Sequence, residues 1–194
     1  MLTKSRLHVP PGGLLLPGHG LLVDWSPPRP GILGVDRDGR PIREIAGGAW
    51  TASGLYLLNW IDILDATQLA IDTSLTTHKW AMYNNTETPN FSSETAYSVT
   101  NEVTGTNYTA GGKDLTGLAP TTTESPAGTL MYDMGDISWA SSTITAYGAK
   151  LYADVLAGNN LICALNFGGA YTSTNGTFTI QFNALGVFYL DLTP

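Results

Sequence analysis

Cysteine is nearly absent from this 194-residue chain, and Cys163 is the single example. One thiol excludes a disulfide framework and any zinc site built on paired cysteines. Cys163 lies in the apolar run Leu161-Ile162-Cys163-Ala164-Leu165, which reads as a buried small hydrophobe and not a reactive thiol. Charge is also scarce: charged residues make up 13% of the chain, about half the usual share. That excludes a coiled coil and a charge-driven disordered chain. No apolar run approaches the roughly 18 residues of a membrane span, so no membrane is expected as partner. Near the N-terminus Lys4 and Arg6 precede Pro10, Pro11 and Pro17, which interrupt any secretory h-region. Synthesis and retention in the cytoplasm of the producing cell are therefore expected.

What charge there is divides unevenly. The net charge is −7, which argues against nucleic acid as the main partner. Residues 1–45 carry six basic groups against four acidic ones, whereas the remainder carries only Lys79, Lys113 and Lys150 against twelve acids. Every arginine lies within the first 43 residues. The division predicts an arm over 1–50 and a separate body over 51–194.

Seven of the eleven prolines fall before position 42, among seven glycines. Proline removes an amide donor and glycine is costly to order, so neither a helix nor a central strand can run far there. The segment nevertheless holds Leu14, Leu15, Leu16, Leu21, Leu22, Val23, Trp25, Ile32 and Leu33. A disordered, solvated tail would have no use for them. We read an extended basic arm that needs a surface to cover, either its own body or a neighbouring subunit. The candidate partner-binding residues are Leu14, Leu15, Leu16, Leu21, Leu22 and Trp25, with Arg29, Arg37, Arg40 and Arg43 to pair with acidic loops. Asp36-Arg37-Asp38-Gly39 opens like a calcium loop but lacks the later ligands, which favours a turn before Pro41.

Beyond the arm the pattern is mostly period two. Leu55–Leu64 is the exception: Asn59, Asp62 and Asp65 stand three apart, as on the wet face of a short helix, although a buried strand fits the run as well. Alternation then predicts strands at 78–83, 161–167, 178–182 and 187–192, with weaker ones near Tyr97–Val103, Thr129–Met134 and Thr143–Tyr152. Turn signals separate them at Asn84-Asn85, Pro89-Asn90, Gly111-Gly112, Gly158-Asn159-Asn160, Gly168-Gly169 and Asn175-Gly176. Twenty-five threonines suit pleated, half-wet surfaces. The expected fold is mainly β: an antiparallel β-sandwich, jelly-roll-like, with an extended N-terminal arm and room for one short helix.

A search for chemistry returns little. Of three histidines, His8 and His19 lie in the arm, and His78 sits in a strand beside Lys79 and Trp80, where packing explains it better than base catalysis. No G-x-S-x-G, Walker loop or H-E-x-x-H pattern occurs. Asp133 and Asp136 could form a carboxylate pair, but a strand-ending turn is the simpler reading. Trp50, Tyr56, Trp60, Trp80, Tyr83, Tyr97, Tyr108 and Trp139 could include a carbohydrate-stacking platform, though aromatics more often fill cores. Asn-x-Ser/Thr triplets begin at Asn84, Asn90, Asn107 and Asn175; roughly two would arise by chance in such a composition, and without a signal peptide no acceptor role is expected. No catalytic residue, metal ligand or cofactor is assigned, and the chain is not expected to be an enzyme.

One set of segments is more specific. Lys79-Trp80-Ala81-Met82-Tyr83-Asn84-Asn85-Thr86, Thr88-Pro89-Asn90-Phe91, Glu94-Thr95-Ala96-Tyr97, Asn101-Glu102-Val103-Thr104-Gly105-Thr106, Tyr108–Gly112, Asp136-Ile137-Ser138-Trp139 and Thr174-Asn175-Gly176-Thr177-Phe178 resemble small virion proteins of tailed bacteriophages. The resemblance spans roughly residues 70–194 and leaves the arm outside. It implies a β-sandwich structural protein on the capsid exterior, with no catalytic residues. The expectation is a capsid decoration or cementing protein, trimeric at a local symmetry axis, whose arm binds the major capsid protein. A minor tail or baseplate protein, a host-surface carbohydrate-binding module and a β-sandwich hydrolase are the alternatives.

Overall fold

The computed structural model describes residues 7–8, 21–22, 50–65, 71–115, 117, 120–125 and 127–191. Among them, strands and one helix follow in the order β1 (Leu7–His8), β2 (Leu21–Leu22), β3 (Gly54–Leu55), α1 (Leu57–Asp65), β4 (Lys79–Tyr83), β5 (Lys113–Asp114), β6 (Thr121–Glu124), β7 (Thr129–Asp133), β8 (Ile137–Ala153), β9 (Asn160–Gln181) and β10 (Phe188–Asp191). The fold is mainly β. One sheet has the order β1-β10-β7-β6; the other runs β2-β9-β8-β4-β5, with β3 also paired to β9. All pairings are antiparallel apart from the two-residue contact of β2 with β9.

The long hairpin β8–β9 is the frame. From Ile137 to Ala146 the apolar residues Ile137, Trp139, Ile144 and Ala146 face inward while Ala140, Thr143 and Thr145 face out, the alternation of a sheet wet on one side. From Gly148 to Ala153, and across the ladder from Leu161 to Leu165, every residue is buried. Burial on both faces requires a cover on both sides of the sheet. On one side Trp80, Met82, Leu151, Ile162 and Leu165 meet Tyr132, Phe188 and Val187 from the other sheet, forming the sandwich core. Phe188 meets Trp60 of α1 edge-on at 5.6 Å and lies 5.1 Å from Tyr132, its ladder partner in the same sheet, between ring centroids. On the opposite side, Trp50, Tyr56, Ala81, Tyr83, Tyr152, Leu161 and Ala164 form a second cluster, closed by Phe91, Tyr97 and Tyr147.

Three readings from the sequence are corrected. The segments 161–167 and 178–182 are not separate strands but parts of β9. Their expected turns became kinks: Ala146 pairs with Tyr171 but Gly148 with Asn166, so residues around Gly168 (φ 77°) bulge out of a continuous ladder. Tyr97–Val103 forms no strand: isolated bridges join Ala96 to Asn160 and Tyr83 to Glu102, and single backbone bonds tie Asn101 to Asn84 and Val103 to Met82. The expected wet face of α1 fails at Asn59, while Asp62 is half-exposed. Asn59 is buried, donating both amide hydrogens to the carbonyls of Thr95 and Leu161 at 2.7 Å, whereas Leu57, Leu58, Ile61 and Leu64 are exposed. The ring of Trp50 lies in the second cluster, and its Nε1 donates to the Asn84 carbonyl at 3.1 Å.

Of the arm, the described pieces add two-residue strands to sheet edges: Leu7–His8 pairs with Leu190 and Tyr189, and Leu21–Leu22 with Ile180 and Gln181. Leu14, Leu15, Leu16, Trp25, Arg29, Arg37, Arg40, Arg43 and the Asp36–Gly39 turn lie outside the described residues.

Phe188→Ala is expected to cost about 3–5 kcal/mol, the range for truncating a buried aromatic. Urea denaturation monitored by tryptophan fluorescence measures it, and a loss below 1 kcal/mol would show that the sheets are held together elsewhere.

Candidate functional site

Among the described residues, the densest polar chemistry lies on the outer face of β4–β8–β9, beneath the cover formed by residues 84–112. Short Asx turns shape this cover. Asn84 Oδ1 accepts from the Thr86 amide at 2.8 Å, and Asn90 Oδ1 from the Ser92 amide at 3.1 Å. Asn101 and Asn107 adopt positive φ, which asparagine tolerates well. Two of the Asn-x-Ser/Thr triplets are thus turn chemistry, with the third residue closing the turn. At the far end Gly112 (φ 76°) runs so close to β4 that a Cβ would lie 1.9 Å from the Trp80 carbonyl oxygen.

The cover delivers three carboxylates to the sheet. Lys150, near the C-terminal end of β8 and 2% exposed, binds Glu87 Oε1 and both oxygens of Glu94, the latter at 3.0 and 3.2 Å. The second oxygen of Glu87 accepts from Asn101 Nδ2 at 3.0 Å. The ammonium also lies 4.8 Å from the Tyr83 ring centroid and 5.9 Å from that of Tyr56, so aromatic faces complete its surroundings. Burial first, and then the charge of Glu94, push the Tyr56 phenol up. Its hydroxyl is buried and has no hydrogen-bond partner among the described residues.

Glu102 forms a second cluster. It accepts from the hydroxyls of Tyr97 and Tyr108, each at 2.5 Å, and from the Gly111 amide at 2.9 Å. Tyr108 in turn accepts from the Met82 amide at 2.8 Å, so the chain of bonds ties the cover to β4. Burial, followed by the bond to Glu102, pushes both phenols up. Tyr97 stacks on Tyr152 with centroids 4.4 Å apart.

A groove of about 310 Å³ runs beside Glu102, lined by Asn84, Val103, Thr104, Thr143, Ile144, Thr145 and Thr172. Its hydroxyls include the Thr145–Thr172 pair bonded to each other at 2.7 Å. Nothing in this lining is arranged to activate a nucleophile.

The other candidates are structural. Asp133 Oδ1 accepts from the Met134 amide at 2.8 Å, and Asp136 Oδ1 accepts from the Phe182 amide at 2.9 Å, which ties the start of β8 to the end of β9. Cys163 is buried in the core, and burial pushes its thiol up. Trp80 and Trp139 are buried and Tyr97 is half-buried on Tyr152, which leaves no flat aromatic platform from these three rings. Among the described residues, no group of three or more His, Cys, Asp and Glu is placed to hold a metal ion, and no helix is long and apolar enough to cross a membrane. No protein-family model, curated protein or solved structure matches the chain.

The sequence search overlooked Lys150, Glu87, Glu94 and Glu102. A signal was present in Ala149-Lys150-Leu151-Tyr152-Ala153, where a lysine interrupts an apolar strand. A cation in such a run needs carboxylates from elsewhere in the chain.

His78 provides a pH test. Its Nε2 donates to the Asp72 carbonyl at 2.6 Å, while Nδ1 is buried without a partner. Burial lowers its pKa below the ordinary 6.5, despite the opposing Asp72 carbonyl. The neutral ring's contribution to stability is therefore complete above pH 6.5 and is lost as pH falls through the lower folded value. Urea titrations on either side of pH 6.5 should show wild type losing more stability in acid than His78→Gln; equal losses would remove His78 as a cause.

Proposed function

We infer that the chain is a structural component of a tailed-phage particle, a capsid decoration protein that binds the major capsid protein. The observation that carries this reading is α1. Its Leu57, Leu58, Ile61 and Leu64 are 51%, 41%, 47% and 79% exposed on one helix only nine residues long. A contiguous apolar patch of this kind marks a contact surface. It stands close in sequence to Trp50, where the apolar, arginine-bearing arm enters the body. The segments that resemble phage virion proteins form β4, the cover and the β8–β9 hairpin.

In this reading the body sits on a local symmetry axis as a trimer. The α1 face packs on a neighbouring subunit while the arm extends over the capsid. Burying apolar side chains contributes about 25 cal/mol per Å², less the cost of ordering them. Arg29, Arg37, Arg40 and Arg43 pair with acidic loops, and repetition over a closed shell multiplies weak contacts. A tail or baseplate location would use the same surfaces. A carbohydrate-binding role is disfavoured by the burial of Trp80 and Trp139.

The test uses purified particles of the encoding phage. Mass spectrometry of separated heads and tails should find the chain on heads. Ile61→Asp with Leu64→Asp should leave the melting curve nearly unchanged, because both residues are exposed, yet abolish trimers in light scattering and prevent attachment to stripped heads. Deleting residues 1–45 should weaken attachment with the body intact, and attachment of the full chain should weaken as salt rises. Full attachment by both variants would overturn the reading.

A further inference from the structure

We propose that Lys150 and Glu87 condense into an intramolecular isopeptide bond, with Glu94 as the proton-transfer group. The inference does not depend on the phage reading. It rests on four groups brought together from three parts of the chain.

Lys150 supplies the nucleophile. Its Nζ is buried on β8 against Glu87 Oε1 and beside the Tyr83 and Tyr56 rings, which keep water from the pair. Glu87 supplies the electrophilic carbon and is itself buried. Asn101 Nδ2 donates to Glu87 Oε2 at 3.0 Å, so a donor already faces the oxygen on which negative charge develops. Glu94 reaches Nζ with both oxygens, at 3.0 and 3.2 Å, and is the more exposed of the two acids. Nucleophile, electrophile, oxyanion donor and proton acceptor are thus assembled in the folded chain. Orientation of this kind is worth effective concentrations of about 10⁵–10⁸ M, enough to drive an amide synthesis that fails between free partners in water.

The steps balance without any further reactant. A proton moves along the hydrogen bond from Nζ to Glu87 Oε1, leaving an amine against a carboxylic acid. The nitrogen lone pair attacks Glu87 Cδ, forming the C–N bond as the carbonyl electron pair moves onto Oε2, held by Asn101. Glu94 takes a proton from the nitrogen and returns it to the Oε1 hydroxyl. The Cδ–Oε1 bond breaks, the pair on Oε2 restores the carbonyl, and one water leaves. Nothing is oxidised or reduced, and Glu94 ends as it began. Two buried ions become a neutral amide, which removes their desolvation cost.

The product would staple the cover to the central strand across 63 residues of sequence. It would not be confused with a purely structural ion pair, because it changes the covalent mass.

The experiment is intact-mass spectrometry of the full-length chain, purified folded and then denatured in acid, with a tryptic digest of the same sample. The expected result is a mass lower than the sequence by one water. Trypsin should also fail to cut after Lys150, and one branched peptide should join Glu87 to Lys150. Glu94→Gln, which keeps the nucleophile and electrophile, should retain the full sequence mass; water loss at the wild-type rate would remove Glu94 from the mechanism. An unmodified wild-type mass, cleaved normally after Lys150, would overturn the proposal. Loss of ammonia in place of water would also overturn it, since the bond would then lie at an amide side chain.

Discussion

A lysine at the centre of a sheet covered on both sides imposes the demand that organises this molecule. An uncompensated ammonium in that position would cost several kcal/mol, so some other part of the chain must bring carboxylates to it. The 84–112 cover meets the demand with Glu87 and Glu94, and it has little apolar surface of its own with which to bind the sheet. Phe91, Tyr97, Val103 and Tyr108 contribute, but most of the rest is Asn, Thr, Ser and Gly. The cover therefore depends on polar anchors: Lys150 at one point, and the Glu102–Tyr108–Met82 chain of hydrogen bonds at another. The lysine needs the cover, and the cover needs the lysine.

The same reciprocity explains α1. A helix of nine residues is too short to be stable alone. It is fixed at its start by the Leu57 amide bonded to the Phe91 carbonyl, and in its middle by the two bonds of the Asn59 amide. Trp60 adds a bond from Nε1 to the Ile162 carbonyl at 2.9 Å. These contacts and the packing of Trp60 and Ile63 on the core orient the helix and leave Leu57, Leu58, Ile61 and Leu64 outward.

The reading of the sequence succeeded where period two was strong and failed where tertiary contacts overrode local pattern. Strands β4, β7 and β10 lie close to where alternation placed them, and Cys163 is buried as its apolar run implied. Gly168 and Asn175 are turn formers by chemistry, but both lie within β9, where positive φ produces bulges instead of reversals. A hairpin partner as long as β8 keeps the strand on course past them. Asn59 illustrates a different limit. Polar residues three apart mark the wet face only when no buried carbonyls await them, and the Thr95 and Leu161 carbonyls belong to distant segments. Carboxylates scattered through an Asn/Thr-rich loop give no spacing signal, so the ion-pair cluster around Lys150 was legible only from the lysine's side.

Chain order adds a temporal side to the Lys150 cluster. Synthesis proceeds from the N-terminus, so Glu87 and Glu94 leave the ribosome before the lysine they bind, and before β8 and β9 exist to form a platform. Until then the cover must wait in water. Its composition suits the wait: asparagine, threonine and glycine remain hydrated, and the Asx turns at Asn84 and Asn90 form from residues two apart, needing nothing downstream. A more apolar cover would bind the sheet with fewer polar anchors, but it would spend the interval as an exposed sticky segment beside the half-made strand β4.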